Sequence, residues 1–162
     1  IDQAAKSESL SPTVGNSYLV RFELEPGEYV LLGLNSVGQS MFTNGNFFTP
    51  LKMKLVVSGP GVHYLGHVEA SVRERKEGEF GAGGNSLPVK EQREIGAFGG
   101  TFDVAVSDRW DTDEAKFSER IPALKGVKVE KAILPAFDRR SVQQWWDYNA
   151  FMAPLQWGNP PF

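Results

Sequence analysis

Apolar and polar residues alternate through several stretches of this chain, and each such stretch predicts a half-buried strand. In the first, Tyr18, Val20, Phe22 and Leu24 fall on one side, while Leu19, Arg21 and Glu23 fall on the other. Side chains of an extended backbone point to opposite faces in turn, so period-two alternation marks a strand with one covered face. Glu25-Pro26-Gly27-Glu28 follows as a turn, where proline pre-sets φ and glycine takes the positive φ that comes next. Tyr29–Leu34 is then almost wholly apolar, as expected of a strand covered on both faces. Tyr18–Leu34 is therefore predicted to be one β-hairpin.

The alternation returns in Leu51–Val57, where Leu51, Met53, Leu55 and Val57 oppose Lys52 and Lys54. Val62–Arg73 is the longest such run. Val62, Tyr64, Gly66, Val68, Ala70 and Val72 form its predicted inner face, and His63, His67, Glu69, Ser71 and Arg73 most of the outer one. Thr101–Asp108 places Phe102, Val104 and Val106 inward. Glycine and proline turns, Ser58-Gly59-Pro60-Gly61 among them, separate these segments. The pattern predicts a mainly β fold: an antiparallel immunoglobulin-like β-sandwich with one or two short helices, the longer one C-terminal.

The first predicted helix covers Thr112–Arg120. Asp111 is expected to cap it, Asp113 and Glu114 suit the positive end of its dipole, and Pro122 ends it. Gly126–Leu134 is expected to return as a strand. The second helix is predicted over Asp138–Met152, with Ser141 and Gln144 as a capping box. In this scheme residues 1–16, polar and containing Ser11-Pro12, form a loosely held lead-in. Residues 17–134 form the sandwich, and residues 135–162 an aromatic-rich helical tail packed on the same domain. A chain of 162 residues suits one domain that buries roughly 70% of its unfolded surface.

Composition narrows the chemistry. With 17 basic and 20 acidic residues the net charge is −3, and Arg73-Glu74-Arg75-Lys76-Glu77 interleaves its signs. No basic stripe suited to nucleic acid is visible, so no nucleic-acid partner is expected. The chain has no cysteine, which removes disulfides, thiol chemistry and cysteine-held metal centres. No run of about 18 apolar residues is present to span a bilayer. The first residue is Ile1 and not methionine, so an upstream segment is expected.

Motif by motif, catalytic and metal-binding patterns fail. His63 and His67 sit four residues apart, but on a strand that separation is about 13 Å, too far for one ion. They are expected to be solvated on the outer face. The acidic run Asp108–Glu114 lacks the glycine and glutamate of a calcium loop, and helix capping accounts for it. Gly78–Gly84 (GEFGAGG) lacks the Lys-Ser/Thr of a phosphate loop and is expected to be a surface loop. Ser36 lacks the first glycine of a nucleophile elbow, and two histidines on one face leave little for a triad. Catalytic residues, metal and cofactor are all expected to be none, and the chain is expected not to be an enzyme.

The tail carries the strongest binding signal. Residues 135–162 hold Trp145, Trp146 and Trp157, three of the four tryptophans, together with Phe137, Tyr148, Phe151 and Phe162. Tryptophan and tyrosine offer large rigid area with a polar handle, which suits docking surfaces. Val142, Trp146 and Ala150 would form one face of the helix, packed on the sandwich. Trp145, Tyr148 and Met152 lie on a neighbouring face, so the helix is apolar around more than half its girth. Candidate binding residues are Trp110, Trp145, Trp146, Tyr148 and Trp157.

Three segments resemble a group of uncharacterised bacterial envelope lipoproteins with an immunoglobulin- or transthyretin-like sandwich. Tyr18…Leu24-Glu25-Pro26-Gly27-Glu28-Tyr29 is similar to the "F.LxPGxY" hairpin of that group, and Val62-His63-Tyr64-Leu65-Gly66-His67-Val68 to its "vYLGxi" strand. The third runs from Phe98-Gly99-Gly100-Thr101-Phe102-Asp103-Val104 through Asp113, Phe117, Pro122 and Leu124 to Leu134-Pro135-Ala136-Phe137-Asp138-Arg139. The resemblance implies export to the periplasm or outer membrane, with a lipid anchor upstream of Ile1 as the membrane attachment. It brings no catalytic residues. The expected role is a non-enzymatic envelope domain that binds a protein or another envelope component through its tail or its loops. The alternative is a carbohydrate-binding module or glycan-active enzyme that stacks tryptophans on sugar rings.

Overall fold

The computed structural model describes the backbone of residues 3–9, 16–39, 44–81 and 100–157, with side-chain burial over 17–34, 48–81 and 100–148. Strands outnumber helices among the described residues, which include two α-helices, so the fold is mainly β. The strands are β1 (Gln3–Ser9), β2 (Asn16–Arg21), β3 (Gly27–Gln39), β4 (Asn44–Val57), β5 (Val62–Tyr64), β6 (His67–Glu74), β7 (Gly100–Ser107) and β8 (Val129–Lys131). The helices are α1 (Trp110–Arg120) and α2 (Arg139–Trp157), and a 3-10 turn spans Pro122–Leu124. Among the described residues the strands pair as β1–β2, β3–β4, β5–β8 and β6–β7.

Pairing is where the structure departs most from the sequence pattern. The predicted hairpin over Tyr18–Leu34 does not form: β2 pairs with β1, antiparallel, and β3 pairs with β4. Phe22–Pro26 is irregular, and the Tyr29 hydroxyl donates to the Glu25 carbonyl at 2.8 Å. Nor is Tyr29–Leu34 covered on both faces, since Val30 and Leu32 are each 52% exposed. Alternation records which face is covered; it does not record which strand lies alongside. For the same reason the polar lead-in contains β1, whose ladder to β2 uses backbone groups and needs no apolar side chains. The β5–β8 pair is parallel, with Val62 opposite Val129, which the pattern also did not predict.

The long strand expected over Val62–Arg73 is broken at Leu65-Gly66, where Gly66 adopts φ 100°. Only a residue without Cβ takes that conformation cheaply. Beyond the break Ala70 and Val72 are exposed and not inward. The alternation in Leu51–Val57 holds better: Leu51, Met53 and Leu55 are buried.

Two compact units contain these elements. One comprises Ile1–Tyr29, Leu55–His67 and Ser107–Leu134. Here Tyr64 is buried, its ring 4.9 Å from that of Trp110 and 6.4 Å from that of Phe117. Backbone bonds from Ala132 N to Tyr64 O and from Leu134 N to Leu65 O, each 2.9 Å, continue the β5–β8 contact. Helix α1 begins two residues earlier than predicted, and Asp111 does not cap it; Asp108 Oδ1 instead accepts from Trp110 N at 3.1 Å.

The second unit comprises Val30–Lys54, Val68–Val106 and Pro135–Phe162. Its core is Phe80, Phe102 and Val142, with Val104, Phe137 and Trp146 packed against them. Gly33 lies so close to β4 that a Cβ there would sit 2.5 Å from the Thr49 carbonyl oxygen and the Phe48 ring. Phe80 overturns the expectation that Gly78–Gly84 is a surface loop. It is fully buried, because a phenyl ring gains roughly 2–3 kcal/mol by leaving water even from a glycine-rich stretch. Residues 82–84 lie outside the described residues.

Candidate binding surface on the C-terminal helix

Helix α2 begins where Asp138 caps it: Asp138 Oδ1 accepts from Ser141 N at 3.1 Å, and Asp138 O accepts from Val142 N at 3.1 Å. The side-chain acceptor three residues ahead of an orphan N–H is the usual N-cap arrangement. This corrects the expected Ser141–Gln144 capping box by one turn. From this start, helical spacing places Val142 and Trp146 on one face. Val142 is fully buried, and the Trp146 ring lies 6.2 Å from Phe80. Gln143 joins the two segments, its Oε1 accepting from Phe80 N at 2.7 Å while its Nε2 donates to Asp147 Oδ1 at 2.8 Å.

The neighbouring face is only partly covered. Trp145 is half-buried, with its ring 6.1 Å from Phe48, and Lys52 Nζ donates to the Ser141 carbonyl at 3.3 Å. Tyr148 is 62% exposed, with Arg140, Gln144 and Asp147 also exposed. Trp157 is the last residue of α2, and its side chain lies outside the described residues. Trp145, Trp146 and Tyr148 thus come together on one helix in graded exposure.

Trp110 is in the other unit. Its half-buried ring stacks on Phe117 at 6.4 Å and leans on Tyr64. The Tyr64 hydroxyl donates to Asp113 Oδ2 at 2.7 Å and accepts from Arg109 N at 3.3 Å. Burial, and next the bond to Asp113, hold its ionisation well above the ordinary tyrosine range. His67 Nδ1 lies 3.4 Å from the same Asp113 oxygen, and His63 Nε2 lies 3.2 Å from the Gly59 carbonyl oxygen. Neither histidine is fully solvated as expected; each rests against an acceptor. Asp108 pairs with Lys131 at 2.7 Å, which lowers the carboxyl's pKa and raises the amine's. Among the described residues no three metal-ligating side chains converge.

An ion network that the sequence did not announce fixes the start of α2. Arg139 donates to Glu79 Oε1 (3.4 Å), Thr101 Oγ1 (3.3 Å), Asp103 Oδ1 (2.6 Å) and the Phe102 carbonyl. Its guanidinium also lies 4.9 Å from the Phe80 ring centre. Arg73 bridges the same two carboxylates, at 2.6 Å to Glu79 and 3.0 Å to Asp103. The Arg73 hydrogen bonds, followed by that from Lys76 N, hold the Glu79 pKa down at about 2. The only sequence signal for this site was an arginine beside the N-cap, which is too common to single out.

No protein-family model matches the chain, and no curated protein or solved structure matches it either.

Proposed function

We propose that this chain is a non-enzymatic domain of the bacterial envelope, an immunoglobulin-like sandwich that binds another macromolecule through the outward side of α2. The carrying observation is Tyr148, which is 62% exposed, one turn from the half-buried Trp145 and beside the polar Gln144 and Asp147. An amphipathic aromatic ring with an apolar neighbour and a polar surround has the make-up of an interface centre and its rim. Val142 and Trp146 hold the helix from its inward side, so Tyr148 stands on a rigid support that does not need it.

The sandwich is supported by the strand-rich fold, and its periplasmic or outer-membrane address by the resemblance of the Val62–Val68 segment to envelope lipoproteins. Carbohydrate stacking calls for exposed coplanar rings, whereas Trp145 and Trp146 are half-buried beside Phe48 and Phe80. Co-sedimentation of the purified chain with isolated bacterial envelopes tests the proposal. The chain is expected to pellet, and Tyr148→Ser to remain in solution with an unchanged melting midpoint. Undiminished pelleting of Tyr148→Ser, or calorimetric heat from soluble glycans that Trp145→Ala abolishes, would overturn it.

A further inference from the structure

Where β6 ends, the unit that contains α2 opens a cleft of about 590 Å3 lined by Arg73, Glu74, Arg75, Lys76 and Asp103. Its charges fall into two groups. Arg73 uses four of its five N–H donors here, with Nε on Asp103, Nη1 on the Glu74 carbonyl and Glu79 Oε2, and Nη2 on Glu79 Oε1. Asp103 and Glu79 both also accept from Arg139. These two arginines and two carboxylates form a neutral quartet along the cleft wall. Outside the quartet stand the exposed side chains of Glu74, Arg75 and Lys76. Among the described residues neither Arg75 nor Lys76 forms an ion pair through its side chain.

Glycine at position 81 leaves room for the Arg75 side chain. A Cβ at Gly81 would lie 3.1 Å from Arg75 Nη1, and one at Gly78 would meet nothing within 4 Å. Arg75 and Lys76, two exposed cations on adjacent residues, suit a compact oxyanion, which a guanidinium and an ammonium bind by charge-assisted hydrogen bonds. The cleft is larger than a bare ion and within the range of small-molecule sites. Glu74 adds a carboxylate that accepts hydrogen bonds from hydroxyls but repels a second anion.

We propose that this cleft binds a phosphorylated sugar, with the phosphate on Arg75 and Lys76 and the hydroxyls toward Glu74. The site is independent of the surface on α2. Amide NMR titrations at constant ionic strength test it, with glucose 1-phosphate, inorganic phosphate and glucose as separate probes. Glucose 1-phosphate is expected to shift the amides of Arg75, Lys76, Gly78 and Gly81 saturably, inorganic phosphate more weakly, and glucose not at all. The Arg75→Gln/Lys76→Gln variant should bind glucose 1-phosphate about tenfold or more weakly, since each charged hydrogen bond carries roughly 1.5–3 kcal/mol. Lys125→Gln/Lys128→Gln, which removes exposed cations elsewhere, should bind unchanged. No response, an equal response to glucose or to inorganic phosphate, or full binding by Arg75→Gln/Lys76→Gln would each overturn the proposal.

Discussion

The Tyr64 hydroxyl donates to Asp113 Oδ2 across 2.7 Å, joining the end of β5 to the first turn of α1. Both residues are buried, and no buried side-chain polar atom among the described residues lacks a partner. The pair is therefore part of the scaffold. Tyr64→Phe leaves a carboxylate oxygen in a nearly dry site, with His67 beside it and the hydroxyl donor gone. Orphaning a buried acceptor costs roughly 1–3 kcal/mol, so the melting midpoint should fall by several degrees. Differential scanning calorimetry checks this, and an unchanged midpoint would remove the bond from the account.

The same bond gives the fold an alkaline limit. Folding raises the Tyr64 pKa above its unfolded value near 10, so between those two values the folded state holds a proton that the unfolded chain releases. Stability from this group is complete below about pH 10 and declines as pH rises toward the folded value. Urea midpoints should thus fall above about pH 10 more steeply in the parent chain than in Tyr64→Phe. Parallel profiles would contradict the assignment.

Glu79 acts at the other end of the scale. Its folded pKa is lowered to about 2 from an ordinary 4.5, so the unfolded chain binds the extra proton as the solution is acidified. The stability it contributes is present above about pH 4.5 and is lost as pH falls toward 2. A carbon-detected NMR titration should place the Glu79 carboxyl midpoint near 2. In Glu79→Gln, the part of the acid loss that falls in this window should disappear.

The two sides of α2 should respond differently to truncation. Val142 is fully buried against Phe80 and Phe102, and Val142→Ala removes methyl groups from a packed site at a cost of about 1–3 kcal/mol. Tyr148→Ser, on the exposed side, should change stability by about 0.5 kcal/mol or less. Chemical denaturation of both variants measures the contrast. Equal costs would mean that the outward ring also belongs to the core.

Local character was legible in the sequence, and long-range partnership was not. Leu51, Met53 and Leu55 were placed inward from alternation alone, and Val142 with Trp146 from helical spacing, because burial follows side-chain period. The hairpin over Tyr18–Leu34 failed because strand neighbours depend on backbone pairing across distant residues, and that leaves no local trace. The break at Gly66 hid inside an alternating run for which glycine is neutral. Phe80 was overlooked amid glycines, although one aromatic in such a loop is itself an anchor signal. The Arg73–Glu79–Arg139–Asp103 network joins residues from position 73 to position 139, so only the fold brings it together.

The outward face of α2 as a contact surface is the central claim, and site-specific photo-crosslinking in bacteria engineered to express and export the chain tests it most directly. A photoreactive phenylalanine analogue would replace Tyr148 in one strain and Glu119, an exposed position on α1, in another. The account predicts a discrete higher-mass adduct from position 148 and none from position 119. No adduct from position 148, or the same adducts from both positions, would contradict it.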